Sequence, residues 1–258
     1  RMLSLVDLME ADTLTPEMAA WLTERIDEGA SFLVGALPGG AGKTAVQGAL
    51  LTMLPPEETV HVTHTGRYGF GRGSGSADWR AAGPGDCLVA YEISPAAYEA
   101  YIWGPDVQEF CDRGLNGARL VANLHADSLS QARGQLTNDN GISRAGFNAF
   151  DIFIPITVDG GFGGRSRVVE HIDYRTEDGW IRLGRSPELS PRAEKIRRFL
   201  EELLDNLTPV ISVLNPRAIV LAGELRERIA EVQRLIDRDY GDRYLGMRIP
   251  KETFRSTL

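Results

Sequence analysis

A chain of 258 residues with 43% hydrophobic and 25% charged residues has an ordinary globular composition, enough for one large domain or one domain plus a smaller unit. Its net charge of −8 excludes a global basic field that would draw it to nucleic acid, and Cys87 and Cys111 form neither a metal-ligand spacing nor a disulfide framework, so a reducing cytoplasm is the default. No stretch approaches about eighteen apolar residues and no signal peptide opens the chain, while Arg1 and Leu258 do not look like natural termini, so a piece of something longer is expected.

In chain order, LSLVDLMEADTLTPEMAAWLTERIDEGA reads as two helices. Thr15 is the N-cap and Pro16 the first helical residue of the second; Ala20, Leu22 and Ile26 form its apolar stripe, and Gly29 stops it. SFLVGAL, residues 31–37, is a short apolar run of strand type. A glycine loop leads into a helix over 43–53, which Pro55 and Pro56 end. TVHVTHT alternates and reads as a second strand. GRYGFGRGSGSADWRAAGPGD is rich in Gly and Ser and is expected to be a mobile loop. CLVAYEI is a third, buried strand, AAYEAYIWGPDVQEFCDRG is helical in its second half, and ARLVANLHAD is a fourth strand with a polar end. SLSQARGQLT starts a helix capped by Ser128. FDIFIPITVDGGFGGRSRVVEHIDYRTEDGWIRL reads as strands joined by a Gly-rich hairpin and a second turn near Asp178 and Gly179. After RSPELSP the character changes to a charged amphipathic helix over 192–207, a strand and turn in PRAIVLAGEL, and a charged helix in RERIAEVQRLIDRDY. The boundary is set at 187–191, which gives residues 1–186 as one domain and 187–258 as an appendage.

The chemistry begins at GALPGGAGKTAVQGALL, Gly35 to Leu51. It approaches the phosphate-loop pattern G-x-x-x-x-G-K-[ST], with Leu37 where the first glycine should stand. Leu37 only leaves the strand and does not have to touch phosphate. Gly39, Gly40 and Gly42 can bring backbone N–H groups close to phosphate oxygens, and the N-terminus of the next helix adds partial positive charge. Gly39, Gly40, Ala41, Gly42, Lys43, Thr44 and Ala45 are therefore the candidate ATP-binding residues. Lys43 would reach the β- and γ-phosphates and Thr44 would ligate Mg²⁺. The competing reading is a Gly-rich turn with a solvent-facing lysine; the strand before the loop and the helix after it favour the phosphate loop.

Such a loop needs an acidic residue near the attacking water. In DCLVAYEIS, Glu92 ends an apolar run and could orient water, act as general base or approach the metal; a surface glutamate after a buried strand is the alternative. In LVANLHADS, Asn123 and His125 leave a buried strand near its C-terminal end. A neutral imidazole at His125 can donate a hydrogen bond to the γ-phosphate and report its loss; a structural histidine bonded to backbone is the alternative. Lys43, Glu92 and His125 are the candidate catalytic residues, with Thr44 and Glu92 at the metal.

Together these elements resemble the secretion ATPases of type II and type IV systems, including pilus extension and retraction motors. The resemblance runs from Leu22 to about Leu183: a helix ending in Gly, a strand, the phosphate loop, a helix and a proline-marked turn, then CLVAYEIS as the acidic strand, NLHADSLSQARGQL as the histidine box and FDIFIPITVDGGFGGRSRVVEHIDY as the terminal hairpin. It implies an α/β fold with a RecA-like P-loop core, a largely parallel sheet, a terminal β-hairpin and a mainly helical C-terminal appendage. It also implies hydrolysis of ATP with Mg²⁺, a hexameric homo-oligomer, membrane-embedded secretion or pilus platform proteins as partners, and a cytoplasmic position, peripheral at the inner face of the membrane. An arginine reaching a neighbour's nucleotide is implied too; Arg67 and Arg72 are candidates, with exposed structural arginines as the alternative.

The chain departs from the family at three points. Thr63 and His64 stand where the family ends its second core strand with acids, Tyr91 stands where Gly usually precedes the glutamate, and the separate N-terminal domain is absent or reduced to a helix or two. These differences bear on hydrolysis and on the secretion role more than on nucleotide binding. ISVLNPRAIVLAGEL and FRSTL faintly resemble the end of sugar kinases and repressors of the repressor–ORF–kinase family; a helix-strand-helix appendage is the alternative. Three functions follow: an ATPase motor subunit, a nucleotide-dependent switch or scaffold with weak turnover, and a RecA-like nucleic-acid ATPase with a basic loop around Arg67, Arg72 and Arg80. The net charge disfavours the third.

Overall fold

Local capping fixes where the first helices begin. In the structure, a computed structural model that describes residues 3–37, 39–63, 79–96, 98, 100–159 and 166–214, Ser4 and Asp7 form a reciprocal capping box at helix α1 (Leu5–Glu10). Thr15 caps helix α2 (Pro16–Asp27), its hydroxyl accepting from Met18 N at 3.1 Å, with Pro16 at the first position.

Six strands then build the parallel part of the sheet. Strand β1 (Phe32–Gly35) leads into helix α3 (Lys43–Leu51), two residues shorter than the expected 43–53 because Thr52 and Met53 turn back onto Ala49 and Leu50. Strand β2 (Thr59–Val62) follows, then a 3-10 turn at Trp79–Ala81 and strand β3 (Asp86–Ile93). A two-residue strand β4 (Tyr101–Ile102), not foreseen from the sequence, adds to the end of β3 before helix α4 (Pro105–Leu115). Strand β5 (Arg119–Leu124) precedes helix α5 (Leu129–Gly134), which Ser128 caps and which runs into a π turn at Gln135–Asp139. Helix α6 (Arg144–Phe147) leads to strand β6 (Ile152–Pro155).

The sheet order is β6-β1-β5-β3-β2, every pair parallel. Strands covered on both faces read as unbroken apolar runs, which is why FLVG and IFIP are wholly buried and show no alternation. A small antiparallel pair, β7 (Thr157–Asp159) and β8 (Ser166–Val168), stands off this sheet; β9 (Ile172–Thr176) and β10 (Gly179–Leu183) extend its β6 edge as an antiparallel hairpin. The result is a mixed α/β fold with a mostly parallel central sheet. One apolar layer packs the sheet against α1, α2, α3 and the start of helix α7 (Pro191–Leu214); the other packs it against α4, α6 and Trp79. Ala193 and Leu200 of α7 are buried in the first layer, and Ser190 donates to the buried Glu24 carboxylate of α2. Among the described residues, no helix is long and apolar enough to cross a membrane. The Gly-rich stretch around Arg67 and Arg72, the segment GGFGGR, and the strand and helix expected after residue 214 lie outside the described residues.

One ion pair ties the opposite end of the sheet together. Arg119, at the start of β5, is 4% exposed; its guanidinium donates to Ile26 O at 2.6 Å, to Ala30 O at 3.0 Å and to both Glu58 carboxylate oxygens. It joins the end of α2 to the approach to β2. Removing one partner of such a pair leaves a buried charge and orphaned carbonyls, which costs about 3–5 kcal/mol. Arg119→Ala is therefore expected to lower Tm by roughly 10 °C or more in calorimetry; a change below about 2 °C would contradict this account of the clasp.

Candidate functional site

Strands β1, β3 and β5 all deliver residues to the same end of the sheet, the C-terminal end where parallel α/β sheets collect their chemistry. Between β1 and α3 the chain turns through Gly40 (φ +72°) and Gly42 (φ +92°). Gly42 is the N-cap of α3 in the left-handed region, a conformation that costs a side chain dearly, and α3 has no side-chain cap. The first N–H groups of a helix have no partner within it, and here they face the loop. Together with the helix dipole they make an anion-binding end on a nine-residue helix.

Strand β5 lies between β1 and β3, so its end sits between the loop and Glu92. Lys43 Nζ and His125 Nε2 each stand 3.5 Å from Glu92 Oε1. The Lys43 contact is a close electrostatic attraction, and the His125 contact becomes one when the imidazole is protonated; both distances are long for hydrogen bonds, so Glu92 Oε1 is a buried acceptor with no hydrogen-bond partner among the described residues. Lys43 is 7% exposed and Glu92 5%. Burial pushes the Glu92 carboxyl above its ordinary range, against the pull of Lys43 and then His125 in the other direction. Burial likewise raises the Tyr101 phenol, with the Glu92 charge adding to it. His125 Nδ1 lies 3.3 Å from Leu37 O. With a proton on Nδ1 donated there, Nε2 faces Glu92 as a donor only when the imidazole is doubly protonated.

The structure thus gathers Lys43, Glu92 and His125 at one point. Gly39, Gly40 and Thr44 are exposed at the mouth of the loop, Gly42 and Ala45 are half-buried and Ala41 is buried. Thr63 is buried at the end of β2 with its hydroxyl directed at Ala100 O, 3.4 Å away, so no carboxylate stands there. Arg80 pairs with Asp106 at 2.7 Å and lies 4.4 Å from the Trp79 ring centroid, an engaged cation rather than one presented to a strand of nucleic acid. His64, Arg67 and Arg72 lie outside the described residues.

Sequence reasoning passed over Arg167 and Gln47. Arg167 reaches from β8 across the loop, its Nη2 donating to Gly40 O at 3.2 Å. A Cβ on Gly42 would meet Arg167 Cδ at 3.0 Å. No local pattern marks this arginine, because the hairpin brings it 127 positions along the chain to Gly40. Gln47 had a readable signal: it falls four residues after Lys43, on the stripe of α3 that buries Val46 and Leu50. A cleft of about 450 Å³ lies at the other end of the sheet between Glu58, Asp86, Arg119, Asp151 and Arg175. Its charged groups are paired with one another or with backbone, as Arg119–Glu58 and Arg175–Asp151 are.

No protein-family model matches the chain, and no curated protein does. Among solved structures, the chain is similar to the VirB11 ATPase from the Brucella suis type IV secretion system in complex with sulphate, at 14% identity and a TM-score of 0.42, over 77% of this chain and 57% of that one. It is also similar to the Legionella pneumophila ATPase DotB, at 8% identity and a TM-score of 0.37, over 72% of this chain and 55% of that one. The chain spans a little over half the length of these two proteins. Likenesses this distant do not decide chemistry, which is read from the site itself.

Proposed function

We propose that the chain binds ATP with Mg²⁺ and hydrolyses it, as a motor subunit of the secretion or pilus type. The observation that supports this is the convergence of Lys43 and His125 on the buried Glu92 Oε1, beside the glycine-capped start of α3. Lys43 and the N–H groups of the loop bind the phosphates. Glu92 orients water and accepts its proton, and His125 contacts the terminal phosphate. Thr44 and Glu92 offer hard oxygen donors that suit Mg²⁺, and the Glu92 oxygen, ion-paired with Lys43 but without a hydrogen bond among the described residues, keeps a lone pair for such a role. When bound, that ion neutralises charge on the phosphate oxygens.

The reading includes a homo-oligomer, hexameric by resemblance, at the inner face of a membrane with platform proteins as partners. It keeps 1–186 as the ATPase domain and 187–258 as an appendage. Thr63 at the end of β2 favours a second reading, a nucleotide-dependent switch that turns over slowly. Phosphate release from ATP by the purified chain, with its mass measured by light scattering with and without Mg-ATP, separates the two. The motor reading expects Mg-dependent release and a multiple of the 28.3 kDa chain mass. Nucleotide binding without release would move the conclusion to the switch, and no binding would remove both.

A further inference from the structure

Strand β3 should not be able to present Glu92 to Lys43. Its side chains alternate: Cys87 and Val89 face the layer containing α3, while Leu88 and Ala90 face the layer containing α4. Continued alternation would turn Glu92 into the aromatic layer of Phe110 and Phe150 and leave Ile93 on the α3 side. The opposite occurs. Ile93 is buried in the α4 layer with Ala90, three residues earlier.

The cause is a bulge. Ala90 pairs with Ala122 and Ile93 with Leu124, so Tyr91 and Glu92 together oppose Asn123 alone. A bulge breaks the ladder locally and re-aims the side chains beyond it. Here two buried side-chain amides bind its carbonyls. Gln47 Nε2 donates to Ala90 O at 3.0 Å, and Asn123 Nδ2 donates to Tyr91 O at 2.8 Å and to Gln47 Oε1 at 3.0 Å. Both residues are essentially inaccessible, at 1% and 0% exposure. The orientation of Asn123 is fixed, because a flipped amide would set its oxygen against two other oxygens. Asn123 Oδ1 remains buried without a partner among the described residues.

We propose that the Gln47–Asn123 amide pair is a positioning device: it locks the β3 bulge and thereby holds Glu92 on the Lys43 side of the sheet. The pair joins the phosphate-loop helix, the acidic strand and the histidine strand in one chain of hydrogen bonds, so the loop and the carboxylate keep a fixed separation. Its effect on turnover rests on the reading of Glu92 as the water-orienting base.

Asn123→Asp tests it with almost no change of volume, since a carboxylate oxygen would face Gln47 Oε1 and Tyr91 O. Gln47→Leu is the second variant, removing the donor to Ala90 O. In both, kcat for ATP is expected to fall about 10²-fold, the scale of a misplaced catalytic group, with KM within about two-fold. In a Glu92→Gln background, Asn123→Asp is expected to lower kcat no further, because the residue acts through Glu92. Unchanged kcat in the two single variants, or an undiminished further loss in the Glu92→Gln background, would overturn the proposal. A crystal structure of Asn123→Asp is read independently of turnover: the Lys43 Nζ–Glu92 Oε1 distance should open from 3.5 Å to beyond about 6 Å. If the wild type hydrolyses no ATP, the ATPase reading falls, and this distance alone decides the positioning claim; a retained 3.5 Å contact refutes it.

Discussion

Lys43→Ala abolishes nucleotide binding at concentrations that saturate the wild type. The loop supplies backbone N–H groups and a helix dipole, but among the described residues Lys43 is the full positive charge at its floor; Arg167 lies exposed above it, bonded to Gly40 O. Charged hydrogen bonds contribute about 1.5–3 kcal/mol each, so losing those of Lys43 to two phosphates should drop affinity by roughly 10²- to 10⁴-fold. The substitution also strips Glu92 of its nearest cation, leaving a buried carboxylate that repels polyphosphate. Titration calorimetry with a non-hydrolysable ATP analogue reads the effect. Affinity equal to the wild type would remove the phosphate-loop assignment and every role built on it.

Glu92→Gln separates binding from chemistry. Gln keeps the shape and removes the base, so analogue binding should persist while turnover falls by about 10²-fold or more. The pH profile carries the same claim. Burial raises the Glu92 carboxyl above its ordinary value of 4.5. A base must be deprotonated to act, so wild-type turnover should fall at acid pH as Glu92 takes up a proton. The acid limb should be missing from the residual activity of Glu92→Gln. Unchanged turnover in this variant would strip Glu92 of its role.

Much of this was legible in the residues. Thr15-Pro16 and Ser128 marked helix starts because their caps are local, using hydrogen bonds within three residues. Lys43, Glu92 and His125 could be brought together in advance because parallel strands end on one side of the sheet, so each apolar run with a polar end points its last residues the same way. What could not be read depends on contacts distant in sequence. A run apolar on both faces, as CLVA is before the exposed Tyr91, carries no two-residue period, so the bulge that turns Glu92 toward Lys43 leaves no mark in its letters. Asn123 stood out as a polar residue in an apolar run, yet its partners, Gln47 and Tyr91 O, are set by register and helix placement. Arg167 reaches Gly40 only through the fold of the β7–β8 pair. Arg119 read as the edge of a strand and proved to be the centre of a clasp at the other end of the sheet.

The most direct measurement of the central claim is a titration of the isotopically labelled chain with ATP and Mg²⁺, following backbone amide resonances. Saturable shifts should centre on Gly39 to Ala45, with Glu92 and His125 following and the cleft around Arg119 and Glu58 unmoved. Saturable binding that moves the Arg119 cleft and leaves Gly40, Gly42 and Lys43 untouched, or no shift at any ATP concentration, would contradict it.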